Sequence, residues 1–481
     1  MGNLNNFASC ISINTAHPLP VYRQIYLRLK EAIIAGNLKP GERLPSMRVL
    51  ASDLGLARGT VENAYAMLIG EGYLESHGQS GTRVSSHLSS SHTLPVIANS
   101  LPVTEKEPSM PHVSDFSHQP LQLGLPALDE FPLTLWNRLA GKHIRQFPRT
   151  NLAQPPAAGY RPLREAIARY LQISRGITCQ PRQIFICGGY GSVLRLILDT
   201  LYRHGDKVWL EDPCYLTARK IFTHVGAQIV PIDIDNEGMQ VEQAIQRQSD
   251  ARFALVTPAH HSPTGVTLSL PRRLALLKWA TDNQSWIIED DYDGEFRYQG
   301  RPQPALKSLD ATGRVLYAGT FSKVLFPALR TAYLAVPESQ IEQFEQRVCI
   351  SPCASQVQIQ ATIADFIDQS HFYRHLKNMR TLYARRRGFL IQAISENLSH
   401  LKHLKIETHF GGMHLILHLE SHVDDRQITA LARSHGLAVE ALSEWCIDNH
   451  RLTGLLLGFT NISSLAHAKQ QINKLSKLIQ A

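Results

Sequence analysis

The sequence has no C-x-x-C pair and no apolar run approaching the roughly 20 residues that a membrane helix needs. Each absence removes a class of protein. Cys10, Cys179, Cys187, Cys214, Cys349, Cys353 and Cys446 are scattered and odd in number, which argues against a disulfide scaffold or a zinc site and fits a reducing compartment. The N-terminal MGNLNNFASC lacks the basic region ahead of an apolar core that a secretory signal requires. Asn6 also stands where a myristoylation site would place Ser or Thr. A cytoplasmic chain with no metal site and no membrane partner is expected. Charge is not extreme either: a net +8 over 481 residues is compatible with a nucleic-acid partner without establishing one. What is present is a 43% hydrophobic, 19% charged composition with enough apolar material for a sizeable core. The length calls for about two or three domains.

Residues 21–35 (VYRQIYLRLKEAIIA) place Ile25, Leu29, Ala32 and Ile33 on one helical face, and Gly36-Asn37 supplies a stop. Pro45-Ser46 opens a second helix over 47–54 with Ser46 as N-cap, Gly55 breaks it, and a third helix runs from about Arg58 to Ile69. Two short helices joined by a glycine-containing turn make a helix-turn-helix. The third helix is expected to expose Arg58, Thr60, Asn63 and Tyr65 near its start; Arg, Thr and Asn are residue types that reach base edges. Residues 72–75 and 81–84, around the turn 77–80, read as a two-stranded wing with Arg83 available for phosphate. The run LKPGERLPSMRVLASDLGLARGTVENAYAMLIGEGYLESHGQSGTRV resembles the winged helix-turn-helix of GntR-type transcriptional regulators. That resemblance implies double-stranded DNA as partner, approached by Arg48, Arg58 and Thr60, with Gly81 of the wing at the minor groove.

The DNA-binding module is assigned to residues 15–84. Residues 85–115, rich in Ser, Pro and His and without apolar period, read as a flexible linker. Fully stretched, such a linker spans on the order of 100 Å. Residues 116–481 alternate strands and helices, the pattern of an α/β domain with a largely parallel sheet.

Within that domain one stretch, VLYAGTFSKVLFPALRTAYLAV (315–336), sets two short buried strands around Thr320, Ser322 and Lys323, with Arg330 following. A lysine beside small hydroxyls and among apolar neighbours is poised to lose its proton and act as a nucleophilic amine toward an aldehyde. The hydroxyls and Arg330 suit a phosphate. Upstream, a strand at 184–187 runs into Gly188-Gly189-Tyr190-Gly191-Ser192 and a helix, a ready anion site. Residues 208–215 (VWLEDPCY) and 286–293 (WIIEDDYD) are strands ending in acidic and aromatic groups, at the strand ends where α/β sheets bind ligands.

In this order and spacing the motifs resemble the fold type I, aspartate-aminotransferase class of pyridoxal 5'-phosphate (PLP) proteins. The resemblance implies a large sheet with a small C-terminal subdomain, Lys323 as the cofactor's Schiff-base lysine, and Tyr190, Gly191, Ser192, Thr320, Ser322 and Arg330 on its phosphate. It also implies Tyr215 against the pyridine ring, Asp290 (with Asp291 as fallback) on its nitrogen, and Tyr292 on its phenolate oxygen. Two departures stand out. Ser262 precedes Pro263-Thr264-Gly265 where aminotransferases carry Asn, leaving His260 or His261 as substitutes, and Leu456 occupies the place of the carboxylate-binding arginine, with Arg451 out of register.

A GntR-type reader joined to an aminotransferase-like domain is similar to the MocR/GabR regulators. That resemblance implies a homodimeric, PLP-dependent DNA-binding regulator that senses PLP or an amine or amino-acid effector. Ser262 and Leu456 weigh against efficient transamination; the alternative is a working aminotransferase with an accessory DNA-binding module.

Overall fold

The computed structural model describes residues 13–14, 18–88, 119–146, 148, 154–298, 300, 304–354, 356–398, 400, 404–408, 411–420, 422–448 and 452–480. The chain divides into two compact units, Met1–Ser114 and Asp115–Ala481. Cys10, Arg451 and nearly all of the expected linker lie outside the described residues.

The first unit is built from helices α1 (Val21–Ile34), α2 (Met47–Asp53) and α3 (Arg58–Gly70), followed by strands β1 (Leu74–Ser76) and β2 (Thr82–Val84). Ile25, Leu29 and Ile33 recur every fourth residue on α1 and are buried, as are Val61, Ala64, Tyr65 and Leu68 on α3. Ser46 caps α2 by accepting from the Val49 amide at 3.3 Å. The wing pairs antiparallel, Leu74 opposite Val84 and Ser76 opposite Thr82. Two sequence expectations change. Tyr65 is fully buried rather than exposed, because it falls on the same α3 stripe as Val61 and Leu68; its hydroxyl donates to the Pro45 carbonyl at 3.0 Å. Residues 85–88, expected to begin the linker, pack on the module instead: the Ser85 amide donates to Tyr73 O at 2.9 Å and Leu88 lies against the core.

The second unit is organised by an eight-stranded sheet. Its strands are β3 (Ile184–Cys187), β4 (Lys207–Asp212), β5 (Gln228–Asp235), β6 (Gly238–Met239), β7 (Phe253–Val256), β8 (Trp286–Asp291), β9 (Val315–Thr320) and β10 (Ala332–Ala335). They lie in the order β3-β10-β9-β8-β7-β4-β5-β6. The five strands from β5 to β9 in that row are parallel, and β10 runs antiparallel between β9 and β3. Every residue of β3, β7, β8 and β10 is buried, as expected where helices cover both faces. The helices are α4 (Leu133–Arg145), α5 (Arg161–Arg175), α6 (Tyr190–Leu201), α7 (Leu216–His224), α8 (Val241–Gln248), α9 (Leu270–Asp282), α10 (Ile341–Ile350), α11 (Val357–Asp368) and α12 (His371–Asn397). Trp209 of β4 stacks on Trp279 of α9, ring centres 3.9 Å apart, and fastens one layer to the other.

A smaller antiparallel sheet follows, from β11 (Lys405–Glu407), β12 (His414–His418), β13 (Glu440–Ala441) and β14 (Gly454–Gly458) in the order β11-β12-β14-β13. Helices α13 (Asp425–Ser434) and α14 (Leu465–Ile479) accompany it, α14 packing along α12. No helix among the described residues is long and apolar enough to cross a membrane.

Candidate functional site

The carboxyl ends of β4, β7, β8 and β9 all open toward a cavity of about 560 Å³, a volume in the range of small-molecule sites. After β9 the chain turns at Phe321-Ser322-Lys323, with Phe321, Val324 and Leu325 buried in the core. Those three anchors leave Lys323 to enter the cavity, where its Nζ donates to the Gly124 carbonyl at 2.9 Å. Burial lowers the pKa of the amine, opposed by the carboxylates of Asp293, Glu440 and Asp290. Gly124 is required here: its φ is +64°, and a Cβ on it would sit 2.2 Å from Lys323 Nζ.

One end of the cavity is suited to an anion. After β3, Gly189, with φ of +106°, turns the chain into the N-terminus of α6, and Tyr190 and Gly191 line the cavity from the first turn. Thr320, Ser322 and Arg330 converge on the same cavity. A side chain at Gly189 would place its Cβ 3.3 Å from Arg330 Cζ, so the glycine admits the guanidinium. Ser192 does not line the cavity; its amide is used within the helical turn, on Gly189 O at 3.0 Å. The expectation for Ser192 is corrected on that ground.

The alternation of β8 decides between the two aspartates. Asp290 lines the cavity. Its neighbour Asp291 projects to the other face, where it accepts from Arg175 Nε at 2.5 Å and from the Tyr317 hydroxyl at 2.6 Å. Glu289, on that same far face, accepts from the Leu306 and Lys307 amides at 2.7 and 2.8 Å. Burial pushes the Asp290 carboxyl up to about 7; Tyr190 and Lys323 pull it down while Asp291 and Asp293 push it further up. Tyr190 Oη lies buried beside it with no hydrogen bond of good geometry.

Tyr292 also lines the cavity, with its hydroxyl 3.0 Å from His260 Nδ1; the same ring nitrogen is 3.1 Å from Asp293. Neither histidine takes the place of the missing Asn. Ser262 itself faces the cavity, His260 backs Tyr292, and His261 is turned toward Thr264 and Glu211. Tyr215 lies between Tyr190 and Trp445, 6.0 Å from each ring centre. Leu456 is fully buried on β14, packed with Ile416, Leu442 and Trp445. Gly189, part of the glycine turn read from the sequence as an anion site, lines the cavity; Gly124, Glu440 and Trp445 were missed, because they come from segments distant in sequence and carry no local motif.

On the first unit, Arg48, Arg58 and Asn63 are exposed and Thr60 is half-buried. Arg58 Nε pairs with Glu62 at 2.7 Å, both side chains in solvent, a contact worth little and readily exchanged. Gly81 has φ +87° and lies under Arg43, whose Nε would be 3.0 Å from a Cβ there. Arg83 is half-buried, with Nη1 donating to Gly41 O at 2.9 Å, so it braces the wing. Arg43, exposed beside Gly81, was not singled out from the sequence.

Residues 135–452 match the family described as aminotransferase class I and II, and residues 21–84 match the bacterial regulatory proteins of the gntR family. The chain is 33% identical over 458 residues to the probable rhizopine catabolism regulatory protein MocR of Rhizobium meliloti, covering 92% of this chain and 91% of that protein. It is 31% identical to the HTH-type pyridoxine biosynthesis transcriptional regulator PdxR of Corynebacterium glutamicum, covering 93% of this chain and 94% of the regulator. Among solved structures, Pyrococcus horikoshii kynurenine aminotransferase, described in complex with PMP, superposes with a TM-score of 0.68 at 27% identity, covering 76% of this chain and 91% of the other. The chain therefore belongs to the MocR-type HTH transcriptional regulators, in which a GntR-family DNA-binding domain precedes an aminotransferase class I and II domain.

Proposed function

We propose that this regulator binds PLP through Lys323, that it senses a small amine there, and that it acts on DNA as a homodimer. The observation that carries the reading is the convergence of a buried amine, an anion cup and a buried carboxylate in one cavity, on a chain that also bears a winged helix-turn-helix. The residues present suit the cofactor. Arg330, Thr320, Ser322 and the turn at Tyr190-Gly191 would hold its phosphate, Tyr215 would lie against its ring, Asp290 would pair with its pyridine nitrogen and Tyr292 with its phenolate oxygen. The Tyr190 hydroxyl, buried beside Asp290 at the cavity wall, is one donor that a ligand there would engage.

When bound, the cofactor supplies a reversible carbonyl that captures primary amines. The chain's part is to keep Lys323 buried, where desolvation favours its neutral, nucleophilic form, and to hold the Asp290 carboxylate against a cationic nitrogen. An effector changes DNA binding only through different affinities for two arrangements of the protein. On this reading the DNA reader comprises residues 15–88 and the sensing domain residues 116–481.

Leu456, buried among apolar side chains, favours a sensor over a transaminase, since β14 offers no arginine for a substrate carboxylate at that position. Two assays test the reading. Titrating PLP into the purified chain on its upstream DNA should change the footprint, and an unchanged footprint would remove the PLP-sensing reading. Incubation with amino acids and 2-oxo acids should give no sustained turnover; sustained turnover would favour the aminotransferase alternative.

A further inference from the structure

Among the described residues, three acidic ones line the cavity: Asp290, assigned above to the cofactor, Asp293, which pairs with His260, and Glu440, which the proposed cofactor contacts leave unused. Glu440 lines the same cavity as Lys323, from β13 of the smaller sheet, with Met413, His414 and Trp445. Strand pairing fixes its place: Glu440 lies opposite Leu456 of β14, the position from which an arginine would otherwise receive a carboxylate. Glu440 has no ion-pair partner within 4.0 Å among the described residues. Trp445 Nε1, buried beside it, completes no hydrogen bond of good geometry. Burial raises the Glu440 carboxyl; Arg433, Trp445 and Lys323 draw it down, and Glu444 pushes it up.

Lys323 and Glu440 line the same cavity, and the charge of each bears on the other. Capture of a ligand amine would exchange one imine for another: the ligand nitrogen bonds the carbonyl carbon, the bond to Lys323 breaks, and the ligand's proton stays on the new imine. Lys323 is released as a buried amine whose neutral form desolvation favours, so it supplies Glu440 no ammonium. A half-buried carboxylate that loses a neighbouring cation is left with its desolvation cost uncompensated. A ligand entering with a carboxylate at its far end would add like-charge repulsion, and Leu456 offers it no hydrogen bond. A ligand entering with a second ammonium restores the pairing.

Resting on the proposed PLP reading, we infer that Glu440 selects the effector class: a primary amine whose other end is a second cation, such as a diamine, in preference to an α- or ω-amino acid. The recognition is an ion pair at the ligand's distal group, and no bond to Glu440 forms or breaks.

The test uses the full-length chain loaded with PLP and three probes with the same number of carbons: putrescine, butylamine and 4-aminobutanoate. Binding is read from the shift of the cofactor's absorption band and from the melting temperature. Putrescine should bind roughly 10- to 100-fold more tightly than butylamine, the range of a charge-assisted hydrogen bond, and 4-aminobutanoate most weakly. Glu440→Gln should abolish the putrescine preference, and Glu440→Lys should shift preference toward 4-aminobutanoate. The wild-type series decides even if a variant fails to fold: 4-aminobutanoate binding as well as putrescine overturns the inference, as does a preference that survives Glu440→Gln. Absence of any cofactor band before an amine is added overturns the PLP reading as well; a normal band with no diamine preference overturns the Glu440 inference alone.

Discussion

Replacing Asp290 by asparagine should stabilise the cofactor-free protein while weakening its hold on the cofactor. Asp290 is buried at the end of β8, and its carboxyl rises from 3.8 to about 7. The folded chain therefore binds that proton more tightly than the unfolded chain. Stability from this group is complete below about pH 4 and is lost as pH rises toward 7. A shift of about three pH units corresponds to roughly 4 kcal/mol at pH 8, of which about 2–3 kcal/mol develops between pH 5 and 8. The carboxamide of Asp290→Asn keeps the shape and removes the ionisation. Glu211 and Glu289, pushed up to about 8 and about 7 by burial, titrate in the same window; Glu289 cancels in the difference, whereas Glu211, raised in part by the Asp290 charge, is eased in Asp290→Asn and adds to the gain in the same direction. Urea denaturation of both proteins without cofactor, at pH 5 and pH 8, measures the effect. Asp290→Asn should gain about 2–3 kcal/mol on wild type between the two, and its PLP affinity should fall. A difference independent of pH, or a variant less stable than wild type at pH 8, would refute the assignment of a costly buried carboxylate at this site.

Other changes have equally definite outcomes. Gly124→Ala forces a side chain into positive φ and onto Lys323 Nζ, and should reduce PLP occupancy with a stability loss of about 1–2 kcal/mol; spectral titration and thermal melting check both. Tyr65→Phe removes the buried bond to Pro45 O and should cost the DNA-binding module about 1 kcal/mol, read by thermal melting of the full chain, without altering PLP loading. Asn63→Ala should lower discrimination among operator variants by about 1–3 kcal/mol, whereas Arg48→Ala should weaken all DNA similarly and reduce the salt dependence by about one unit, both read in binding titrations.

Much of this was legible in the sequence because the signals were local. Lys323, Thr320 and Ser322 sit within one turn, and β9 and β10 could be read from their apolar runs. The helix-turn-helix was equally local, its Ser46 cap and Gly55 break standing at helix ends. Where sequence reading stopped, the missing information was three-dimensional. Asp290 and Asp291 are adjacent and chemically alike, and only the pleat of β8 sends them to opposite faces. Tyr65 was expected at the surface because it lies near the start of the third helix, although its spacing from Val61 and Leu68 already placed it in the core. Gly124 and Glu440 join Lys323 in the cavity from segments far away in the chain, so no spacing rule points to them. The near approach of Cys187 and Cys353, with sulfurs 3.4 Å apart, was likewise invisible in the sequence.

The central claim is that one buried amine, Lys323, holds the cofactor. Reduction of the PLP-loaded chain with borohydride followed by peptide mapping tests it directly. The pyridoxyl group should be found on the peptide containing Lys323 and should be lost in Lys323→Ala; the label on Lys220 or Lys307, or on no lysine at all, would contradict the account.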